Sequence, residues 1–173
     1  NMLRRILNED DPSHIAVVFD ARGPTFRHEL YAPYKANRPP MPPELASQVE
    51  AILDFTRVLG LPILQVPGVE ADDVIGTLSR MAEEQGMSCV ISTGDKDLAQ
   101  LVSDRTTLVN TMTDTRLDSA GVKEKFGILP QQVIDFLALT GDTSDNIPGV
   151  DKCGPKTAAK WLEQYGSLDR LME

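Results

Sequence analysis

The sequence predicts an α/β fold: an open parallel sheet flanked by helices, followed by an all-helical segment. Three observations predict it. Between residue 15 and about Leu117, short apolar runs alternate with helix-length amphipathic stretches, the rhythm of strand–helix–strand units. Beyond Leu117 only helical periodicity remains. The acidic residues gather just after the strand-like runs, and a parallel sheet brings its strand ends to one edge. Residues 1–117 are therefore read as the α/β part and 118–173 as the helical part.

The elements follow in order. Leu3, Ile6 and Leu7 have helical spacing, so residues 1–9 read as the end of a helix. Ile15–Phe19 is a continuous apolar run ending at Asp20, the pattern of a strand buried on both faces. Residues 21–38 show no clean period, and Pro39-Pro40-Met41-Pro42-Pro43 is a stiff break. A helix follows over 44–59, with Leu45, Val49, Ile52, Leu53 and Leu59 on or near one stripe, stopped by Gly60. Residues 61–66 form a strand with Pro62 at its start. Residues 71–85 form a helix with Val74, Ile75, Leu78, Met81 and Ala82 inward, ended by Gly86. A strand over 88–92, a short helix over 96–102 and a strand over 107–109 complete the α/β part. Helices over 119–127, 130–140, 155–165 and 167–172 complete the chain.

Composition bounds the class. The chain has 173 residues, and its 41% hydrophobic content suffices for a core and is too high for disorder. No apolar run approaches the roughly 20 residues a membrane span needs. The two cysteines, Cys89 and Cys153, are far apart in sequence, which argues against a disulfide framework and for a reducing, cytoplasmic setting. No secretory signal is visible. The net charge of −9 argues against a wholly basic nucleic-acid-gripping surface. A total, however, does not say where charges sit.

They sit in groups. Asp20 closes the first strand, Glu70, Asp72 and Asp73 follow the second, and Asp95 and Asp97 follow the third. Asp142 and Asp145, in Gly141-Asp142-Thr143-Ser144-Asp145-Asn146, open part of the helical segment. Each group has an ordinary reading: complement to a helix dipole for 70–73, an N-cap for Asp95, turn residues for Asp142 and Asp145, a loop residue for Asp20. Jointly these readings weaken, because carboxylates crowded on one edge repel unless a positive charge neutralises them. An all-oxygen set without His or Cys selects a hard cation, Mg²⁺ or Mn²⁺, over zinc. Eight carboxylates exceed what one octahedral ion uses and suit two ions about 3.5–4 Å apart.

Two basic stretches complement them. Residues 22–38 hold Arg22, Arg27, Lys35 and Arg38 against Glu29 alone, interleaved with Phe26, Tyr31 and Tyr34. Aromatics beside cations suit a nucleic-acid strand, and an exposed amphipathic loop fits the composition equally well. The position directly after Asp20, overhanging the acidic edge, favours function. In the second stretch, Gly149, Val150 and Gly154 form a tight hairpin opening onto a helix with Thr157 and, four apart, Lys156 and Lys160. Glycine allows close backbone approach to a ligand, and helix N-terminal amides bind phosphate. The ordinary alternative is a helix–turn–helix with lysines in solvent.

Taken in order, Val18-Phe19-Asp20, Tyr34-Lys35-Ala36-Asn37-Arg38-Pro39-Pro40, Val69-Glu70-Ala71-Asp72-Asp73, Gly94-Asp95-Lys96-Asp97 and Gly141 to Val150 resemble the motifs of the 5′-nuclease (flap endonuclease) family. Within it they look most like the 5′–3′ exonuclease domain that opens bacterial DNA polymerase I, over nearly the whole chain. The resemblance implies a Rossmann-like, PIN-like sheet and a helix–hairpin–helix, with a metal-dependent activity on DNA 5′ ends, flaps and nicks in replication and repair. Asp20, Glu70 and Asp72 would serve a first Mg²⁺ or Mn²⁺ with Asp73 close by, and Asp95, Asp97 and Asp145 a second, with Asp142 supporting. Tyr34, Lys35 and Arg38 would lie at the base of an arch over about 22–43 that receives the single-stranded 5′ end, with Arg27 on phosphate. Lys35, joined by Arg38, would offset charge on the transferring phosphoryl group. Residues 149–158 and Lys160 would grip the duplex, at a place where the family binds K⁺.

The family opens with a strand ending in Asp-Gly and continues with further helices. Neither appears here, so the resemblance implies a piece of a longer protein, less stable and less active alone than its parent. It also implies linked polymerase domains and a monomer. Two rivals remain: a non-catalytic DNA-binding module using the hairpin alone, and a PIN-like ribonuclease, which would leave the hairpin and arch unexplained. On the nuclease reading the acidity is local. Setting aside the eight site carboxylates, the remaining acids nearly balance the 17 bases.

Overall fold

The computed structural model describes residues 2–173. Its α/β part carries two short sheets. β1 (Val17–Val18) pairs in parallel with β2 (Ile63–Leu64). β3 (Cys89–Ser92) pairs in parallel with β4 (Thr106–Asn110), and β5 (Thr115–Leu117) returns antiparallel along β4. The parallel pairings match the expected class, whereas β5 was not foreseen. Its turn is made by side chains: Asn110 Oδ1 accepts the amides of Met112 and Thr113, and Asp114 adopts a left-handed φ of 55°. Val17 and Val18 are half buried rather than enclosed on both faces.

α1 (Met2–Glu9) lies beside this hairpin, where Arg5 pairs with Glu9 and Asp114. α2 (Phe26–Leu30) was not expected. It is started by Thr25, whose amide donates to His28 Nδ1 at 3.1 Å. The helix expected over 44–59 is two pieces, α3 (Pro43–Ala46) and α4 (Val49–Val58). The break falls where the Ser47 hydroxyl and Gln48 amide both bond back to the Glu44 carbonyl, competing with the backbone ladder. α4 packs on β2 and buries Leu53 and Thr56, whereas Leu45 and Ile52 of the expected stripe stay 46% and 43% exposed.

α5 (Ala71–Glu84) packs on both β1 and β3 and so holds the two sheets side by side. Its buried residue is Ser79, which bonds Thr106 of β4 at 3.1 Å, whereas Met81 is 46% exposed. After β3 the short helix expected over 96–102 is a 3₁₀ helix, Asp97–Leu101. Only one turn fits between Asp95, which caps the Asp97 amide at 2.9 Å, and Val102, which is already extended.

In the helical part α6 (Ser119–Phe126) is capped by Asp118, which accepts from the Gly121 amide at 2.8 Å, and stopped by left-handed Gly127. A 3₁₀ turn at Pro130–Gln132 leads into α7 (Val133–Thr140). α8 (Pro155–Tyr165) and α9 (Leu168–Met172) follow. One core joins the parts: Ile91, Leu98 and Leu108 are continuous with Val122, Leu139 and Leu162. The loop after α7 is thereby fixed against the ends of the strands. Both cysteines are free. Among the described residues no helix is long and apolar enough to cross a membrane.

Candidate active site

Four loops deliver the carboxylates. Asp20 leaves β1, Glu70 caps α5 with Asp72 and Asp73 in its first turn, Asp95 and Asp97 leave β3, and Asp142 and Asp145 leave α7. Seven of the eight line one cavity of about 260 Å³. Asp73 lines a neighbouring cavity of about 390 Å³, which shares Glu70 and Asp72 with the first. The ordinary roles are present too. Asp20 Oδ1 accepts the Ala71 amide at 2.8 Å, Asp73 Oδ2 the Glu70 amide at 2.9 Å, and Asp142 Oδ1 the Ser144 amide at 2.7 Å. Local capping and a shared rim are therefore compatible: the turn that a carboxylate closes is what sets it on the rim.

Side-chain cations stand among the acids. Lys35 Nζ lies 2.7 Å from Glu70 Oε1 and 3.9 Å from Asp145 Oδ2. The Tyr34 hydroxyl donates to Glu70 Oε2 at 2.9 Å and is 3.0 Å from Asp145 Oδ2. Arg38 pairs with Asp145. Arg27 grips Asp73 through two nitrogens, at 2.6 and 2.8 Å. Lys96 spans Asp97 at 2.9 Å and Asp142 at 3.7 Å. With these groups in place, no three His, Cys, Asp or Glu side chains among the described residues converge closely enough to hold an ion as they stand.

Electrostatics marks the site. Glu70 is 8% exposed and Tyr34 6%. Burial, then hydrogen bonds to Glu70 and Asp145, push the Tyr34 phenol well up, so it stays a neutral donor. The Arg27 guanidinium holds Asp73 below the usual carboxylate range. Burial raises Asp97, whereas at Asp142 the Ser144 amide and Lys96 outweigh burial and hold the carboxyl below its ordinary value. Asp72 is the exception to this pairing: among the described residues it has no hydrogen-bond or ion-pair partner. Burial, then the charges of Asp95, Glu70 and Asp20, push it up to about 6. An oxygen-only donor set with an uncompensated carboxylate at its centre fits a hard divalent cation.

The basic segments meet the same loops. Lys35 sits in a left-handed conformation, φ 54°, with its amide donating to the Asp145 carbonyl at 2.9 Å. Asn37 and Asn146 reach in opposite directions across the two loops. Beyond them, Gly149 packs on the backbone of Thr140 and Gly141, so its missing side chain is needed by the protein's own chain. Gly154, the N-cap of α8, has nothing within 4 Å of where a Cβ would stand, leaving its surroundings open. Val150, Lys156 and Lys160 are exposed around it, with Thr157 half buried. Sequence reasoning missed His28, Asn37, Asn146 and Lys96. His28 is half buried: its ring caps α2 and stands edge-on to Tyr34, 5.3 Å between centroids. A polar side chain beside a motif residue was the available signal for the other three.

Known proteins resemble this chain in sequence and in fold. Residues 1–127 match the family described as 5′-3′ exonuclease, N-terminal resolvase-like domain, and residues 128–173 match 5′-3′ exonuclease, C-terminal SAM fold. The chain is 57% identical to DNA polymerase I of Pseudomonas aeruginosa over all of its own length, and spans 20% of that relative. It is 41% identical to the 5′-3′ exonuclease of Aquifex aeolicus, covering 99% of this chain and 60% of the relative. Among solved structures, the T5 D15 protein co-crystallised with metal ions superposes with a TM-score of 0.84 at 20% identity, over 99% of this chain and 68% of that one.

Proposed function

Because the chain belongs to the 5′–3′ exonuclease family, we propose that it is a divalent-metal-dependent nuclease unit that hydrolyses phosphodiesters at DNA 5′ ends, flaps and nicks. The observation that carries the reading is Asp72: a half-buried carboxylate pushed up to about 6 by burial and by the charges of Asp95, Glu70 and Asp20, with no hydrogen-bond or ion-pair partner among the described residues.

Asp20, Glu70 and Asp72 would hold one Mg²⁺ or Mn²⁺, with Asp73 beside them, and Asp95, Asp97 and Asp145 a second, with Asp142 supporting. When bound, the two ions supply an acidified water and positive charge near the leaving 3′ oxygen. The chain's own residues do the rest. Lys35 and Arg38, already at the rim, offset charge on the phosphoryl group as it transfers. Tyr34 fixes Glu70 and Asp145 relative to each other through one hydroxyl. Arg27 keeps Asp73 charged and in place. The hairpin and the start of α8, with Gly149, Val150, Gly154, Lys156, Thr157 and Lys160, hold the duplex backbone, with K⁺ at the hairpin turn. Residues 1–117 are thus assigned chemistry and 118–173 grip, on one shared core. The likeness to DNA polymerase I supports linked polymerase domains, and we further propose a monomer that works on the bacterial chromosome in the cytoplasm.

Two results are expected. Mg²⁺ raises Tm at constant ionic strength where tetramethylammonium at the same ionic strength does not, in a thermal-shift titration. An equal response to both salts would mean screening, and no site. Lys156→Ala with Lys160→Ala lowers duplex affinity and cuts the slope of log K against log salt by about 1.8, some 0.9 for each phosphate no longer neutralised. An unchanged slope in fluorescence anisotropy would remove these lysines from the interface.

A further inference from the structure

The segment 33–38 and the loop 143–146 interlock. Asn146 Nδ2 donates to the Pro33 carbonyl at 2.8 Å, the Lys35 amide to the Asp145 carbonyl at 2.9 Å, and Asn37 Nδ2 to the Thr143 carbonyl at 2.7 Å. Arg38 Nε adds a fourth bond, to the Ser144 carbonyl at 3.0 Å. Lys35 and Asn146 both adopt left-handed backbone, φ 54° and 59°. For lysine this conformation is strained and persists only where neighbours over-determine it. The result is that Lys35 Nζ faces Glu70 and Asp145. The far side of the loop is fixed as well: Gly141 and Gly149 pack backbone to backbone, and the Val150 amide donates to the Leu139 carbonyl at 2.8 Å.

We infer that Asn146 and Asn37 are positioning residues: their carboxamides clamp the base of segment 22–43 to the loop leading into the hairpin, and so hold Lys35 at the rim. This rests on the nuclease reading above for what Lys35 does there, and on geometry alone for where it is held. A rigid path then runs from the hairpin to the ammonium group, so the part assigned to duplex grip fixes the part assigned to chemistry. Neither asparagine touches the carboxylates, and each acts through Lys35.

Two variants test it. Asn146→Gly keeps the left-handed backbone accessible and deletes the carboxamide, and Asn37→Ala deletes the other carboxamide at an exposed site with ordinary backbone. Loss of the clamp is expected to lower kcat on a 5′-flap duplex about 10-fold, the scale of a small misplacement near the reacting group, with KM changed less than about twofold. In a Lys35→Ala background the same substitutions should cost nothing further. Acylation of Lys35 by an amine-reactive ester, read by mass spectrometry, should accelerate by a like factor in both variants while exposed Lys156 stays constant. Unchanged Lys35 labelling, or a kcat loss that multiplies with Lys35→Ala, overturns the clamp. Absence of cleavage by the unmodified protein overturns the nuclease reading instead, and the labelling still decides the clamp.

Discussion

Replacing Asp72 by alanine is expected to cut turnover on a labelled 5′-flap by at least about 100-fold, the usual scale for losing an electrostatic group that acts in the transition state. Lys35→Ala should do the same, from the opposite sign of charge. The two differ in what they do to the metal-free protein. Asp72 is crowded by Asp95, Glu70 and Asp20 and raised to about 6, so its ionised form is disfavoured in the fold. A raised carboxyl means that the folded state binds more protons than the unfolded between the ordinary value of 3.8 and about 6. Stability therefore falls as pH rises through that window, and the penalty is complete above it. Asp72→Asn should raise Tm in EDTA at pH 7.5, lose that gain near pH 4, and abolish the Mg²⁺ shift. Lys35→Ala, which strips Glu70 of a partner at 2.7 Å, should lower Tm in EDTA at both pH values. Near-normal turnover in both variants would contradict the site.

The second large effect concerns the loop that carries Asp142 and Asp145. Gly141 has φ 71° and ψ 176°, a region open essentially to glycine, and a Cβ there would sit 2.6 Å from the Ile147 carbonyl oxygen. Gly141→Ala adds strain of about 1–3 kcal/mol to overpacking of about 1–3 kcal/mol. A loss near 4 kcal/mol corresponds to about 10 °C in Tm for a chain of this size. Gly154→Ala is the contrast. Its Cβ meets nothing within 4 Å and its φ is −85°, so Tm should stay within about 2 °C of the parent value. Duplex affinity should nevertheless fall, because the new methyl group occupies the open approach to α8. Equal melting of the two variants would contradict the assigned roles of these glycines.

Much of the fold was legible because it rests on local signals. The strand at 89–92, the helix at 71–84 and the helix at 155–165 each have the right period and a glycine or proline at the boundary. β5 was not legible, since its pairing depends on Asn110 and Asp114 forming a turn rather than on any apolar alternation. The break between α3 and α4 depends on two side chains returning to one carbonyl, a competition that periodicity does not register. At the site, the acids of the α/β part were legible from their place after the strands, and Asp142 and Asp145 from the turn that opens at Gly141. Their present partners were not: that Lys35 reaches Glu70, Arg27 reaches Asp73 and Lys96 spans Asp97 and Asp142 depends on how the four loops meet. The asparagines stood within the motifs, but their contacts were illegible for the same reason. Their hydrogen bonds span 106 and 113 residues.

The most direct measurement is incision of a 5′-end-labelled flap duplex by the protein in Mg²⁺ and in EDTA, with duplex binding followed in parallel. A metal-ion nuclease cuts near the flap junction in Mg²⁺, stops in EDTA, and is silenced by Asp72→Ala while still binding duplex. Duplex binding that ignores EDTA, with no incision in Mg²⁺ or Mn²⁺, would contradict this account and leave a DNA-binding module in its place.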